Sequence, residues 1–149
     1  MCPDGWIPHG RSCFLIIDSP TVHRHGARKI CQQFGADLAK ITSTTENQFI
    51  FDLLRKQSTV TSYGVWLGLH RKADTKFYWA DDTPLTGYTA WSATNPSRLD
   101  EKCGHMIGYG PYGGKWNDIR CTFPIEFHPS TAPVILCQKM SNSPAILGH

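Results

Sequence analysis

The order of apolar and polar positions divides the chain into a helical first half and a second half of strands and loops. Phe14 to Ile17 is an apolar run that predicts a strand, broken by Ser19-Pro20. Ala27, Ile30, Cys31 and Phe34 then recur at i, i+3, i+4 and i+7, one face of a helix that Gly35 ends. Leu38 and Ile41 read as a short strand or connector. Ser43 to Glu46 matches a capping box: the Ser hydroxyl accepts from the N3 amide, and the Glu reaches back to the Ser amide. Behind it Phe49, Ile50, Leu53 and Leu54 share an apolar face. This second helix is expected to end at Arg55 or Lys56, whose charges suit a helix C-terminus.

After residue 57 the period changes. Val65 to Leu69 and Phe77 to Trp79 read as strands, the first of them buried. Asp81 to Arg98 is rich in Thr, Pro, Gly and Asn, which predicts long loops. Cys103 to Tyr109 and Lys115 to Cys121 read as two strands joined by a hairpin at Gly110-Pro111-Tyr112-Gly113-Gly114. Val134 to Cys137 is a final strand, and the polar residues 141–149 are expected to form a frayed tail. Helices first, strands and loops after, is an α+β arrangement.

A length of 149 residues fits one domain with a real core. Six cysteines, with no C-x-x-C pair, argue against a zinc ribbon or thioredoxin-type motif. Their even number and wide spacing point instead to disulfides and an oxidising compartment, and spacing alone leaves their connectivity open. The net charge is +3, from 15 basic and 12 acidic residues, without the basic stripe of a nucleic-acid binder. No apolar run approaches the ~20 residues that cross a bilayer. Met1 is followed directly by Cys2 and Pro3, so a secreted protein is expected to have lost its targeting segment.

Trp66-Leu67-Gly68-Leu69 resembles the W-I-G-L core strand of C-type lectin-like domains, and Trp116-Asn117-Asp118 resembles their W-N-D strand. Cys2 through Cys13-Phe14 resembles the N-terminal hairpin of the family's long form. The resemblance spans about residues 2–139, leaving 140–149 as a polar tail. It implies two helices on small antiparallel sheets, a long loop region, and disulfides Cys2–Cys13, Cys31–Cys137 and Cys103–Cys121. It also implies that Trp66 and Leu67 are structural. The segment Thr122 to Pro133 is longer than the family pattern and reads as an inserted surface loop.

Sugar-binding members of that family hold one calcium ion through a Glu-Pro-Asn or Gln-Pro-Asp tripeptide, a following Glu, and the Asn and Asp of W-N-D. The ion is a hard cation wanting about 6–8 oxygens, and its coordination is completed by sugar hydroxyls. Asn95-Pro96-Ser97 falls where the tripeptide belongs, with Pro96 at the cis-proline position, and Glu101, Asn117 and Asp118 match the other ligands. The expected metal and sugar site is therefore Asn95, Ser97, Glu101, Asn117 and Asp118. Asn95 and Ser97 are shorter than the family residues and uncharged, so the calcium site is expected to be weak and the tripeptide assigns no monosaccharide. A second, auxiliary calcium site is expected to be lost, because Arg71 or Lys72, Arg98 and Lys102 stand at its acidic positions. These cations, with Lys76, read as a solvated charged rim balanced by Asp81, Asp82 and Asp100.

The resemblance thus implies a secreted, calcium-dependent lectin domain that binds glycans on cell surfaces or glycoproteins, in innate immune or microbial recognition. A homodimer is an open alternative for its assembly. The rival is a calcium-independent protein-binding domain with a degenerate sugar site. Zinc at His23 and His25, or involving His105 or His128, is the lesser metal alternative. No enzyme is expected, since no G-x-S-x-G elbow, H-E-x-x-H helix or phosphate-cradling loop occurs. Asp118→Ala is expected to abolish sugar binding and leave the fold intact.

Overall fold

The structure is a computed structural model and describes residues 1–57, 61–124 and 126–141. The apolar run at Phe14 belongs to β2 (Ser12–Ile17), which lies between β1 (Ile7–His9) and β8 (Ile135–Met140). β3 (Asp37–Leu38) pairs with the other side of β8 and completes an antiparallel sheet ordered β1-β2-β8-β3. α1 (Arg24–Gln33) buries Ala27 and Cys31, and the Cys31–Cys137 disulfide ties it to β8. That bridge closes a separation of 106 residues, which in the chain-entropy account contributes about 4–5 kcal/mol. Cys2–Cys13 and Cys103–Cys121 are also joined, so all three expected disulfides form. Phe34 departs from the expected apolar face. It is the C-cap residue, 46% exposed, and leans edge-on against Trp6 of the N-terminal hairpin rather than entering the core.

α2 (Thr44–Arg55) starts as its capping box predicts, with Ser43 Oγ accepting from the Glu46 amide at 3.1 Å. The Glu46 carboxylate accepts from the Thr42 amide, one residue earlier than the box requires, at 3.0 Å. In the second sheet, β4 (Val65–Arg71) lies between β5 (Phe77–Tyr78) and β6 (Cys103–Met106), and β7 (Trp116–Ile119) pairs with β6. β4 is apolar at every position from Val65 to Leu69 except Gly68 because both faces are covered. Val65, Leu67 and Leu69 join one core cluster with Ile50, Leu54 and Trp116, while Trp66 joins another with Cys31, Cys137 and Phe123. The Trp66 indole N–H donates to the Thr21 carbonyl at 2.7 Å, which agrees with its structural role.

β6 and β7 are shorter than the sequence predicts. Ile107 still bonds across the hairpin to Lys115 and Gly114, but the next residue departs, as the Gly108 amide donates to the Ser62 carbonyl at 2.9 Å instead. Gly113 and Gly114 close the hairpin beneath the Phe51 ring, and Gly114 takes φ +85°. The expected surface insertion is more than surface length. Phe123 is 2% exposed, Ala132 and Pro133 are buried, and Tyr63 packs on both Phe123 and Phe127 at 4.9 and 5.9 Å. β8 continues through Met140, one residue into the expected tail, and residues 142–149 lie outside the described residues.

Candidate functional site

The long loop is fastened at both ends before it presents anything. At its start Ser92 donates its amide to the Trp116 carbonyl and Trp116 donates to the Ala90 carbonyl, each at 2.8 Å. The Trp116 ring is ringed edge-on by Trp79, Tyr88 and Trp91, with centroids 5.7 to 5.8 Å away. Its indole N–H donates to Asn47 Oδ1 at 2.8 Å, and Asn47 Nδ2 donates to the Gly114 carbonyl at 2.9 Å, so α2 and β7 are locked together. At the loop's other end the Arg71 amide donates to the Lys102 carbonyl at 2.7 Å. Between these anchors the Asn95-Pro96 peptide is cis, as its position predicts, and Asn95 Nδ2 donates to Ser92 Oγ at 2.5 Å.

Asp118 holds this loop down. Its side chain is fully buried, and Oδ2 accepts from the amides of Ser97 and Arg98 at 2.8 and 3.1 Å. The Ser97 hydroxyl donates to Oδ1 at 3.4 Å. Arg71 Nη2 stands 3.8 Å from Oδ2, with its own side chain only 9% exposed. Arg71 was expected in a solvated rim. It is drawn inward because its guanidinium lies over the Phe77 ring at 4.5 Å and donates to the carbonyls of Thr75 and Arg98 at 2.9 and 3.3 Å. The rest of the rim behaves as expected: Arg98 forks onto Asp100 at 3.1 and 3.2 Å, and Lys72 pairs with Asp82 at 3.0 Å.

Asn117 is oriented from beneath. His105 is buried, and its Nδ1 lies 2.7 Å from the Tyr63 carbonyl, so that nitrogen carries the proton. Burial drives the His105 pKa from the usual 6.5 down to about 4, against the pull of the Tyr63 and Met106 backbones and of Asp118. The neutral ring therefore offers Nε2 as an acceptor, and Asn117 Nδ2 donates to it at 3.2 Å. Asn117 Oδ1 has no protein partner among the described residues and is left as an acceptor. Glu101 is half-buried, and its carboxylate likewise has no hydrogen-bond partner among the described residues. Desolvation and then the Asp118 carboxylate push its pKa up.

All five expected site residues thus belong to one neighbourhood, the cis-proline loop and the β7 strand on which it folds. They do not fit a resident calcium ion. Asp118 spends Oδ2 on two amides and already faces a fixed cation, which leaves Glu101 as the one uncommitted carboxylate. A hard divalent ion is held by the count and charge of its oxygens, and Arg71 offsets one of the two negative charges. The zinc alternative also fails on geometry. His105 is spent on Tyr63 and Asn117, His128 on Ser130, and His23 lies 3.2 Å from the Thr122 hydroxyl. Among the described residues no three His, Cys, Asp or Glu side chains are grouped to hold a metal.

Two residues of this site escape linear reading. Arg71 looks like one surface cation among several. His105 had a usable signal, since a hairpin centred on Pro111 places His105 opposite Asn117, the register that β6 and β7 adopt.

The family model described as Lectin C-type domain matches residues 21–127. A perlucin-like protein of Mytilus galloprovincialis is 34% identical over 123 residues, covering 80% of this chain and 76% of that protein. An alpha-N-acetylgalactosamine-specific lectin of Patiria pectinifera is 30% identical over 123 residues, covering 78% and 72% respectively. Among solved structures, the C-type lectin domain of murine dendritic cell inhibitory receptor 2 in complex with N-glycan superposes with a TM-score of 0.77. It is 26% identical, with 95% of this chain and all of that chain covered.

Proposed function

The chain belongs to the C-type lectin domain family, and from that premise we propose that it is a secreted carbohydrate-recognition domain that binds glycans on the face of its cis-proline loop. The observation that carries this reading is the set of unspent acceptors beside that loop: the Glu101 carboxylate and the side-chain oxygens of Asn95 and Asn117. Sugar hydroxyls are donors, and acceptors fixed by a second layer of hydrogen bonds suit them. His105 fixes Asn117, Ser92 fixes Asn95, and Asp118 fixes the loop backbone. A cleft of about 630 Å³ beside Pro96, lined by Tyr78, Thr86, Thr89 and Trp91, gives room for further sugar residues of one glycan.

The Patiria pectinifera relative's specificity for alpha-N-acetylgalactosamine and the N-glycan on the murine domain support carbohydrate as the ligand class. Three disulfides support an extracellular setting, where recognition of microbial or cell-surface glycans is the role this reading implies. The action is binding rather than turnover.

A glycan array tests it with the wild type and Glu101→Ala. The Glu101 carboxylate makes no hydrogen bond among the described residues, and the Glu101 amide bond to the Arg98 carbonyl survives the substitution. Its removal is therefore expected to leave the melting temperature nearly unchanged while binding falls about tenfold or more, as for loss of a charged hydrogen bond. A wild type that binds no glycan on the array, but captures a protein ligand through the same loop, would replace this reading with the protein-binding one.

A further inference from the structure

Arg71 ends β4 and reaches three separate segments. Nη1 donates to the Thr75 carbonyl in the turn before β5, at 2.9 Å. Nη2 donates to the Arg98 carbonyl in the long loop at 3.3 Å and lies 3.8 Å from Asp118 on β7. Its Nε is buried without a partner among the described residues. Desolvating a guanidinium this far is costly unless it neutralises a buried carboxylate, and Asp118 is fully buried.

We propose that Arg71 is a built-in cation that does the work of a loop-holding metal ion, so that this domain folds its cis-proline loop and binds glycan without calcium. A positive charge placed between a buried carboxylate and a loop carbonyl is what a bound divalent ion supplies, and the fork of Arg supplies it permanently. A calcium ion approaching Asp118 meets the guanidinium within a few ångströms and is repelled. Only the binding half of this proposal rests on the carbohydrate reading; the folding half stands without it.

The test is thermal unfolding of wild type, Arg71→Gln and Arg71→Lys, each with chelator and with millimolar calcium, beside glycan retention in the same buffers. The wild type is expected to melt within about 1 °C in both buffers, because a ligand that does not bind the folded state cannot shift its stability. Arg71→Gln is expected to melt several degrees lower in chelator and to recover part of that loss in calcium, since Glu101 and Asp118 then lack a counter-charge. Arg71→Lys keeps a charge without the fork; it is expected to show no calcium response, and it carries the test if the Gln variant does not fold. A wild type stabilised by calcium overturns the proposal. So does an Arg71→Gln protein that melts like wild type, or one that melts early and ignores calcium. Failure of every glycan to bind would count against the carbohydrate reading and leave the melting comparison intact.

Discussion

Acid should weaken this domain through one buried ring. His105 is 2% exposed and sits in the β6–β7 hairpin under the candidate site. Its pKa is about 4 in the folded chain against the usual 6.5, the value expected once unfolding exposes it. Between those values the unfolded chain binds a proton that the folded chain refuses. Stability from this residue is therefore complete above about pH 6.5, falls as pH drops through the window, and is gone below about pH 4. At 1.36 kcal/mol per unit the loss is on the order of 3 kcal/mol. A domain of this size loses about 2–4 °C per kcal/mol, so the melting temperature should drop by roughly 10 °C from this group alone. His70, whose pKa burial also lowers, titrates the same way. The His105 share is isolated by comparing wild type with His105→Gln from about pH 7 to pH 4. The variant starts less stable but has a shallower acid slope by that amount. Equal slopes would refute the reasoning, as would an imidazole resonance titrating near the free value in the folded protein.

Two further predictions concern how the loop and the insertion are held. Asp118→Ala should lose glycan binding and also destabilise the fold by about 3–5 kcal/mol, read as a Tm drop of roughly 10 °C. It strips the acceptor from two loop amides and leaves the largely buried Arg71 guanidinium without its carboxylate, so the expectation that this variant keeps its fold gives way to a destabilised one. Phe123→Ala should cost about 3–5 kcal/mol in chemical denaturation, because Phe123 fills a buried position against Tyr63. A loss under about 1 kcal/mol would return the Thr122–Pro133 segment to the status of tolerated surface length.

What could be read from the sequence was whatever repeats along it. The period of Ala27, Ile30 and Cys31 marked α1, the Ser43–Glu46 spacing marked the start of α2, and the unbroken run at Val65 marked a strand covered on both faces. Paired cysteines and two tryptophan-centred strands framed the rest, and the cis bond at Pro96 followed from position within that frame. The misses are residues whose state is decided by a partner far away in the chain. Phe34 fits the helical period yet stays out of the core, because Trp6 meets it at the helix end. Phe123 lies in a segment with no period at all and is buried by Tyr63, 60 positions earlier.

The candidate site belongs wholly to this second class, and that explains why its residue types were legible while their roles were not. Composition shows five side chains with oxygens in the right order, and a count of those oxygens predicts a weak cation site. The count does not show that Asp118 lies fully buried under two amides, or that Arg71, 47 positions earlier, has turned inward over Phe77 to face it. Once those contacts are known the charge arithmetic changes: of the two site carboxylates Asp118 is engaged by the fold, and Glu101 is the one without a hydrogen-bond partner among the described residues. A site with one free carboxylate and two fixed amide oxygens suits neutral hydroxyls better than a divalent ion. That contrast is the ground for proposing a glycan site without a bound cation, with Arg71 as the fixed positive charge beside Asp118.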